Sequence, residues 1–477
     1  MPVSFAALLE GMPAGRRVSA DEVADLARSA VRVLVVLDDD PTGTQSVAGL
    51  PVLLNWTPDS LRWALSLGAS AVYVMTNTRS LSGSDAGRRT REVARAALIA
   101  AERVGVRVDF VSRSDSTLRG HFPLETDTLA RVVGSATGQP PDGVVLVPAF
   151  PDAGRITVDS VHHAGSACEG YTPVAETEFA ADATFGFTSS DLCGWVAEKT
   201  AGRYAAGEVA RVDLRTLRAD PDATVRVLRG LSDAQPVVVD IADENDLRLL
   251  AVALYAAERQ GSRLIYRVGP PFVRAFIGQE ITAPLAPGDI ARIRKGGPAE
   301  GAPGGLVVVG SHVSLTTSQL DRFVERGHPT ELELDVSAYL AGRDEHQVRD
   351  LARAAIDGLG TGNVVVRTSR TLVRAHDADG SLAIARRVST GIVEVVRQVV
   401  AARPPRFVVA KGGITSSDVA ARGLSIGRAM VRGTMLPGLV SLWEPMDGPA
   451  QGIPYIVFAG NVGGPTSLAD VVDTLSA

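Results

Sequence analysis

The chain has 477 residues, with 48 Lys and Arg against 54 Asp and Glu and a formal net charge of −6, so it lacks the basic excess that a binder of the nucleic-acid backbone needs. Hydrophobic residues make up 45% and charged residues 21%, an ordinary globular composition whose length suggests two or three domains. No run of about 18 apolar residues is present, so no membrane span is expected, and residues 1–17 lack the apolar core of a secretory signal.

Ser19-Ala20-Asp21-Glu22 resembles a capping box that opens a short helix through Ala30, which makes residues 1–30 a helical extension. Val31 to Leu37 is the first expected strand, and Ala69 to Met75 the next. Ser84 to Arg103 has helical composition; Val106 to Val111 and Val144 to Val147 are strand-like, as are Pro236 to Ile241 and Arg263 to Val268, with a helix between them. This alternation predicts α/β layers with largely parallel strands. The stretch 295–305, rich in glycine and proline, is expected to be an interdomain linker, leaving 31–294 and 306–477 as domains. Alternation restarts at Leu306 to Ser311. Leu332 to Val336 and Val364 to Arg367 are the next strands, followed by a helix from Leu382 to Ala402. Phe407 to Ala410, Val440 to Trp443 and Tyr455 to Phe458 complete the strands, and Ser467 to Leu475 is a closing helix. The only cysteines, Cys168 and Cys193, have no C-x-x-C spacing and are expected to be buried thiols, which fits a cytoplasmic protein.

In the front half, polar clusters follow strand ends, where open α/β sheets bind ligands. Asp38-Asp39-Asp40 ends the first strand. Adjacent carboxylates repel unless donors or cations compensate, and alternation prevents all of them from facing one pocket. Asp39 and Asp40 are the candidates to orient a hydroxyl or take its proton, with capping of the following turn as the alternative. Arg79, in Thr76-Asn77-Thr78-Arg79-Ser80, follows the next strand. Arg113-Ser114-Asp115-Ser116-Thr117-Leu118-Arg119-Gly120 gathers guanidinium, carboxylate and hydroxyl groups at another strand end. Arginine offers a planar fork for a carboxylate or phosphate, while Asp115 and the hydroxyls suit a polyol. The expected ligand is therefore small, anionic and rich in hydroxyls, with Arg79, Arg113, Ser116 and Arg119 as its contacts. Pro148 to Arg155 follows a further strand. His162 and His163, as neighbours on a strand, diverge and are expected to pack.

In the back half the pattern changes to glycine and hydroxyl. Ser311 opens a small-residue turn before a helix, Gly412, Gly413 and Thr415 form a second turn, and Gly460, Asn461 and Gly463 a third. Bare backbone amides at such turns attract phosphate. Neither a G-x-x-x-x-G-K-[ST] loop nor a G-x-G-x-x-G fingerprint is present, so a nucleotide would be held by another glycine-rich arrangement.

Together these segments resemble the four-carbon acid sugar kinase family over most of the chain. The matching blocks are Asp39-Asp40-Pro41-Thr42-Gly43-Thr44, Arg113 to Gly120, Pro148 to Arg155, Gly412-Gly413-Ile414-Thr415 and Gly460 to Gly463. The resemblance implies two α/β domains with the active site in their cleft: a front domain for a tetronate-like acid and a back domain for ATP. It implies transfer of phosphate to the acid's terminal hydroxyl, normally with Mg2+, by Asp39, Asp40 or Asp115, in a possible homodimer. No metal ligand is assigned. Pro41, Thr44 and Arg113 depart from the family's usual residues, and Phe458 stands where relatives often carry lysine. That last departure motivates the alternative of a non-catalytic sugar-acid sensor.

Overall fold

The computed structural model describes residues 2–370, 373 and 378–477, with the backbone alone for 378–383. The chain divides into two compact units: the residues up to Leu50 with Trp56–Ile281, and Pro51–Asn55 with Thr282–Ala477. Both are α/β.

In the first unit, parallel strands lie in the order Ala71–Met75, Arg32–Asp38, Arg107–Arg113, Leu264–Val268, Gly143–Val147, Gln235–Val239 and Ala210–Val212. The central ones are continuous apolar runs because helices cover both faces of a parallel sheet; Val35, Val36, Val72, Val145 and Val237 are all buried. The helix Gly83–Val104 starts where the Ser82 hydroxyl accepts the Asp85 amide at 3.2 Å, and it turns Ala86, Val93, Ala97 and Ala101 inward. Ser19 caps Ala20–Ser29 by accepting the Glu22 amide at 3.1 Å. The Glu22 carboxylate goes to Arg16 instead of closing the box. An antiparallel meander, Arg155–Val158, Val161–Ser166 and Gly170–Pro173, completes the unit.

The second unit has parallel strands in the order Thr330–Leu334, Val364–Thr368, Leu306–Val309, Val408–Lys411 and Tyr455–Phe458. Leu439–Pro445 and then Arg428–Leu436 add antiparallel, with a register shift between Val431 and Gly433. Val307, Val309, Phe323, Val409, Ile456 and Leu468 belong to its core.

The division at Ile281 precedes the stretch 295–305, which lies within the second unit. The cause is packing. Ile290 is part of that unit's core, Ala299 is buried, and the Gly305 amide donates to the Asn363 side chain at 2.8 Å. Cys193 is buried, but Cys168 is exposed in a turn of the meander, contrary to expectation. Among the described residues, no helix is long and apolar enough to cross a membrane.

Candidate active site

In the first unit the predicted clusters converge because their strands are sheet neighbours. Strand 32–38 is flanked by 71–75 and 107–113, with Asp38 level with both Met75 and Arg113. The loops that begin there carry Asp39, Arg79 and Asp115 into one constellation. Arg79 grips Asp39 with both arms of its fork, Nη2 to Oδ1 at 2.6 Å and Nε to Oδ2 at 3.2 Å. Its Nη1 lies 3.6 Å from Asp40 and 3.8 Å from Asp115. Asp115 also accepts Arg119 Nε at 2.7 Å and the Thr117 hydroxyl.

These carboxylates differ in environment. Asp39 is buried, and burial raises its pKa to about 7 against the pull of Arg79, with Glu125 and Asp40 adding to the rise. Burial also works to raise Asp115, but Arg79 and Arg119, with hydrogen bonds from Arg119 and Thr117, outweigh it and hold this carboxyl well below the usual range. The site thus pairs a firmly ionised carboxylate with one that titrates near neutrality, a division that suits acid–base work. Asp40 spends one oxygen on the turn Pro41–Ser46, accepting the Thr42 amide at 2.9 Å and its hydroxyl at 2.5 Å.

Arg113, expected to meet the substrate, is placed differently. Its side chain is 3% exposed, and Nη2 is committed to the Asp38 carboxylate and, at 2.5 Å, to the Asp40 carbonyl. It is a strut beneath the acidic turn. A Cβ at Gly43 would overlap both the Arg113 guanidinium and the Asp38 carboxylate, so this close approach requires glycine. Arg79 and Arg119 remain 18% and 25% exposed. The Ser116 side chain makes no hydrogen bond among the described residues, while its carbonyl accepts His162 Nε2 at 2.8 Å. Because a carbonyl only accepts, the proton of His162 sits on Nε2, and Nδ1 accepts the Thr157 hydroxyl at 2.9 Å. Burial lowers this histidine to about 4, against a smaller rise from the Ser116 bond.

Other contributors were not singled out from sequence. Glu125 takes Thr78 at 2.6 Å and Arg267 at 3.2 Å behind the constellation. The ring of Phe179 lies under both Arg119 and Arg155, at 5.5 and 5.7 Å. Phe179 sits in the short 3-10 helix Glu178–Ala181 with no motif to mark it, whereas Arg267, a charge inside the apolar strand Leu264–Val268, carried a signal that could have found it.

In the second unit, neighbouring strands bring the glycine turns together. The Thr316 hydroxyl lies 3.1 Å from Ser311 Oγ and donates to the Gly460 carbonyl at 2.8 Å. Gln319 Nε2 holds the carbonyls of Val462 and Gly464 at 3.0 and 2.8 Å. Gly412 has φ +125°, and a Cβ there would press on Ser311 at 3.2 Å and Thr415 Oγ1 at 3.3 Å. Gly413 begins the helical segment Gly413–Asp418, and Asn461 and Gly463 are exposed. Beside Gly310 and Thr415 lies an apolar cavity of about 240 Å³, lined by Val336, Ile392, Ile414 and Val419 among others. Lys411, quoted in the sequence but given no role there, places Nζ 3.7 Å from the centroid of Phe458. An amine therefore lies beside Phe458. Among the described residues, no group of three or more His, Cys, Asp or Glu is arranged to hold a metal.

Comparison with known proteins agrees with this two-part layout. Residues 34–276 match the family described as a sugar-binding N-terminal domain, and residues 306–468 match a nucleotide-binding C-terminal domain. A D-erythronate kinase from Heliobacterium modesticaldum is 28% identical over 342 residues, covering 66% of this chain and 69% of its own length. Two solved structures share the fold. A protein from Salmonella typhimurium described as a putative tRNA synthase has a TM-score of 0.67 at 17% identity, and a Haemophilus influenzae protein has 0.60 at 18%. Each comparison covers 92% of this chain and 98% of the other. With both domains matched in order, the chain belongs to the four-carbon acid sugar kinase family.

Proposed function

We propose that this protein is an ATP-dependent kinase that phosphorylates the terminal hydroxyl of a four-carbon sugar acid of the tetronate or 3-oxo-tetronate type. The observation that carries the reading is the linked series Asp39–Arg79–Asp115–Arg119 at the strand ends of the first unit. It offers the remaining guanidinium N–H groups of Arg79 and Arg119 for a carboxylate beside carboxylates for hydroxyls. Arg79 and Arg119 would hold the acid, and the Ser116 hydroxyl would take one of its oxygens. Arg113 would act from behind by fixing the acidic turn. Asp39 would accept the acceptor hydroxyl's proton, since a base works best when its pKa lies near the working pH. Asp115 would stay ionised and orient the hydroxyls, and Asp40 would shape the turn.

The nucleotide phosphates would rest on Ser311, Gly412, Gly413, Thr415, Gly460, Asn461 and Gly463, and the base would fill the apolar cavity lined by Ile392 and Ile414. Mg2+ would enter on the nucleotide and offset charge on the transferred phosphoryl group, since such transfer rests on positioning and charge neutralisation. The relative named D-erythronate kinase supports erythronate as the first acid to test. Lys411 beside Phe458 supports a nucleotide site that keeps an amine near that position, and a non-catalytic sugar-acid sensor remains the reading that absent turnover would favour. The test is to offer the purified protein ATP and Mg2+ with erythronate, threonate and their 3-oxo forms. Acid-stimulated ADP release with at least one member is expected; background rates with every member defeat the proposal.

A further inference from the structure

Lys411 ends the strand Val408–Lys411, between Leu306–Val309 and Tyr455–Phe458. It is fully buried, although lysine is among the residue types least often buried. The parallel register sets it level with Phe458, so both side chains leave the same face of the sheet. Its Nζ lies 3.7 Å from the Phe458 centroid and donates to the Ala459 carbonyl at 2.7 Å. The backbone reinforces that tie, because the Gly412 amide donates to the Phe458 carbonyl at 2.8 Å. One lysine thus joins the ends of the strands that carry the Gly412–Gly413 and Gly460–Gly463 turns.

Among the described residues, no carboxylate pairs with this amine. Of the elements packed around it, Leu306–Val309 carries no titratable group. Tyr455 gives its hydroxyl to the Ser416 carbonyl, and Asp418 accepts the Ser389 hydroxyl. Neither acts on Lys411, where burial alone lowers the pKa to about 7. A buried, unpaired ammonium is costly, and a cation–π contact with one carbonyl offsets only part of that cost. An anion on the adjoining amides would supply the missing countercharge.

Building on the nucleotide reading above, we propose that Lys411 is the buried counter-cation for the phosphates of a bound nucleotide, and that binding is coupled to uptake of a proton at its Nζ. The proton comes from the buffer and occupies the amine's lone pair; no other bond changes. Lys411 acts as a positioning residue, because its ammonium reaches the phosphates through the field and through the Ala459 carbonyl that leads into Gly460.

The experiment is calorimetric titration of the full-length protein with ADP at pH 8, in two buffers of different ionisation enthalpy. At that pH the phosphates of ADP are already ionised. The expected result is uptake of a large part of one proton by the wild type and none by Lys411→Met or Lys411→Arg. In the wild type, ADP affinity should fall as pH rises above about 7, by at most about tenfold per unit for one proton. Lys411→Arg, charged throughout, should bind with affinity independent of pH over that range. ADP binding without proton uptake overturns the assignment of Lys411 while leaving the nucleotide site standing. Failure of the wild type to bind ADP at any pH overturns both. The wild-type measurement decides the matter even if a variant does not fold.

Discussion

Replacing Arg113 with methionine separates a strut from a substrate contact. The Arg113 side chain is 3% exposed and its partner Asp38 is 0% exposed. Arg113→Met keeps much of the volume but deletes the bonds to the Asp38 carboxylate and the Asp40 carbonyl. Asp38 would then be a buried anion with little left: Oδ2 has no hydrogen-bond partner, and Oδ1 keeps only the Asp40 amide at 3.4 Å. Breaking a buried pair from one side costs about 3–5 kcal/mol, a large share of the roughly 5–15 kcal/mol that holds a domain together. Urea unfolding followed by circular dichroism should show this loss in the first unit's transition. The double variant Asp38→Asn/Arg113→Met, which removes the stranded charge, should recover more than half of it. The reasoning is refuted if Arg113→Met costs under about 1 kcal/mol, the level of an exposed pair, while KM for the sugar acid rises tenfold or more.

Asp39→Asn should lower kcat by about 100-fold or more while ADP affinity changes less than twofold; equal loss of both, by kinetics and calorimetry, counts against a base. If Asp39 is the base, wild-type turnover rises with pH through about 7, where its carboxyl loses the proton, and the variant's residual rate lacks that limb. Gly412→Ala forces a side chain to φ +125° against Ser311, a strain of about 1–3 kcal/mol; ADP should bind about tenfold or more weakly, and unchanged calorimetric affinity would contradict the phosphate role. His162 is held neutral, with its pKa lowered from 6.5 to about 4 in the fold. The unfolded chain therefore binds more protons between those values, and stability falls by up to about 3 kcal/mol as pH drops from 6.5 to 4. His162→Gln should lose that slope in urea unfolding across pH, and an identical slope would show that the histidine does not carry it.

What the sequence revealed follows from local signals. The strand ends at Asp39, Arg79 and Asp115 were legible because polar residues stop long apolar runs, and adjacency in the sheet then brings the loops together. The helix Ala378–Ala402 and the strand Tyr455–Phe458 carried clear periodic or apolar signatures. The two histidines of Val161–Ser166 were placed on a strand, but the three-stranded meander was not delineated, because a segment with two histidines, a glycine and a serine has its pairing decided by neighbours. Arg428–Leu436 was hidden by Gly433 at its register shift. Which of several arginines is buried was not legible, since Arg113 and Arg79 differ only in tertiary partners. The glycine-rich stretch 295–305 reads as a linker by composition, and only the burial of Ala299 and the bond from the Gly305 amide to Asn363 show where it packs. Lys411 was invisible as a partner of Phe458 because cross-strand register joins residues far apart in sequence.

The most direct measurement is a single-turnover reaction of the protein with γ-labelled ATP, Mg2+ and D-erythronate, with the products resolved by mass and label. Label appearing on the terminal hydroxyl oxygen of the acid, in step with loss from ATP and abolished by Asp39→Asn, is the predicted outcome. Label recovered only as inorganic phosphate, or retained on ATP with erythronate, threonate and their 3-oxo forms alike, would contradict the account.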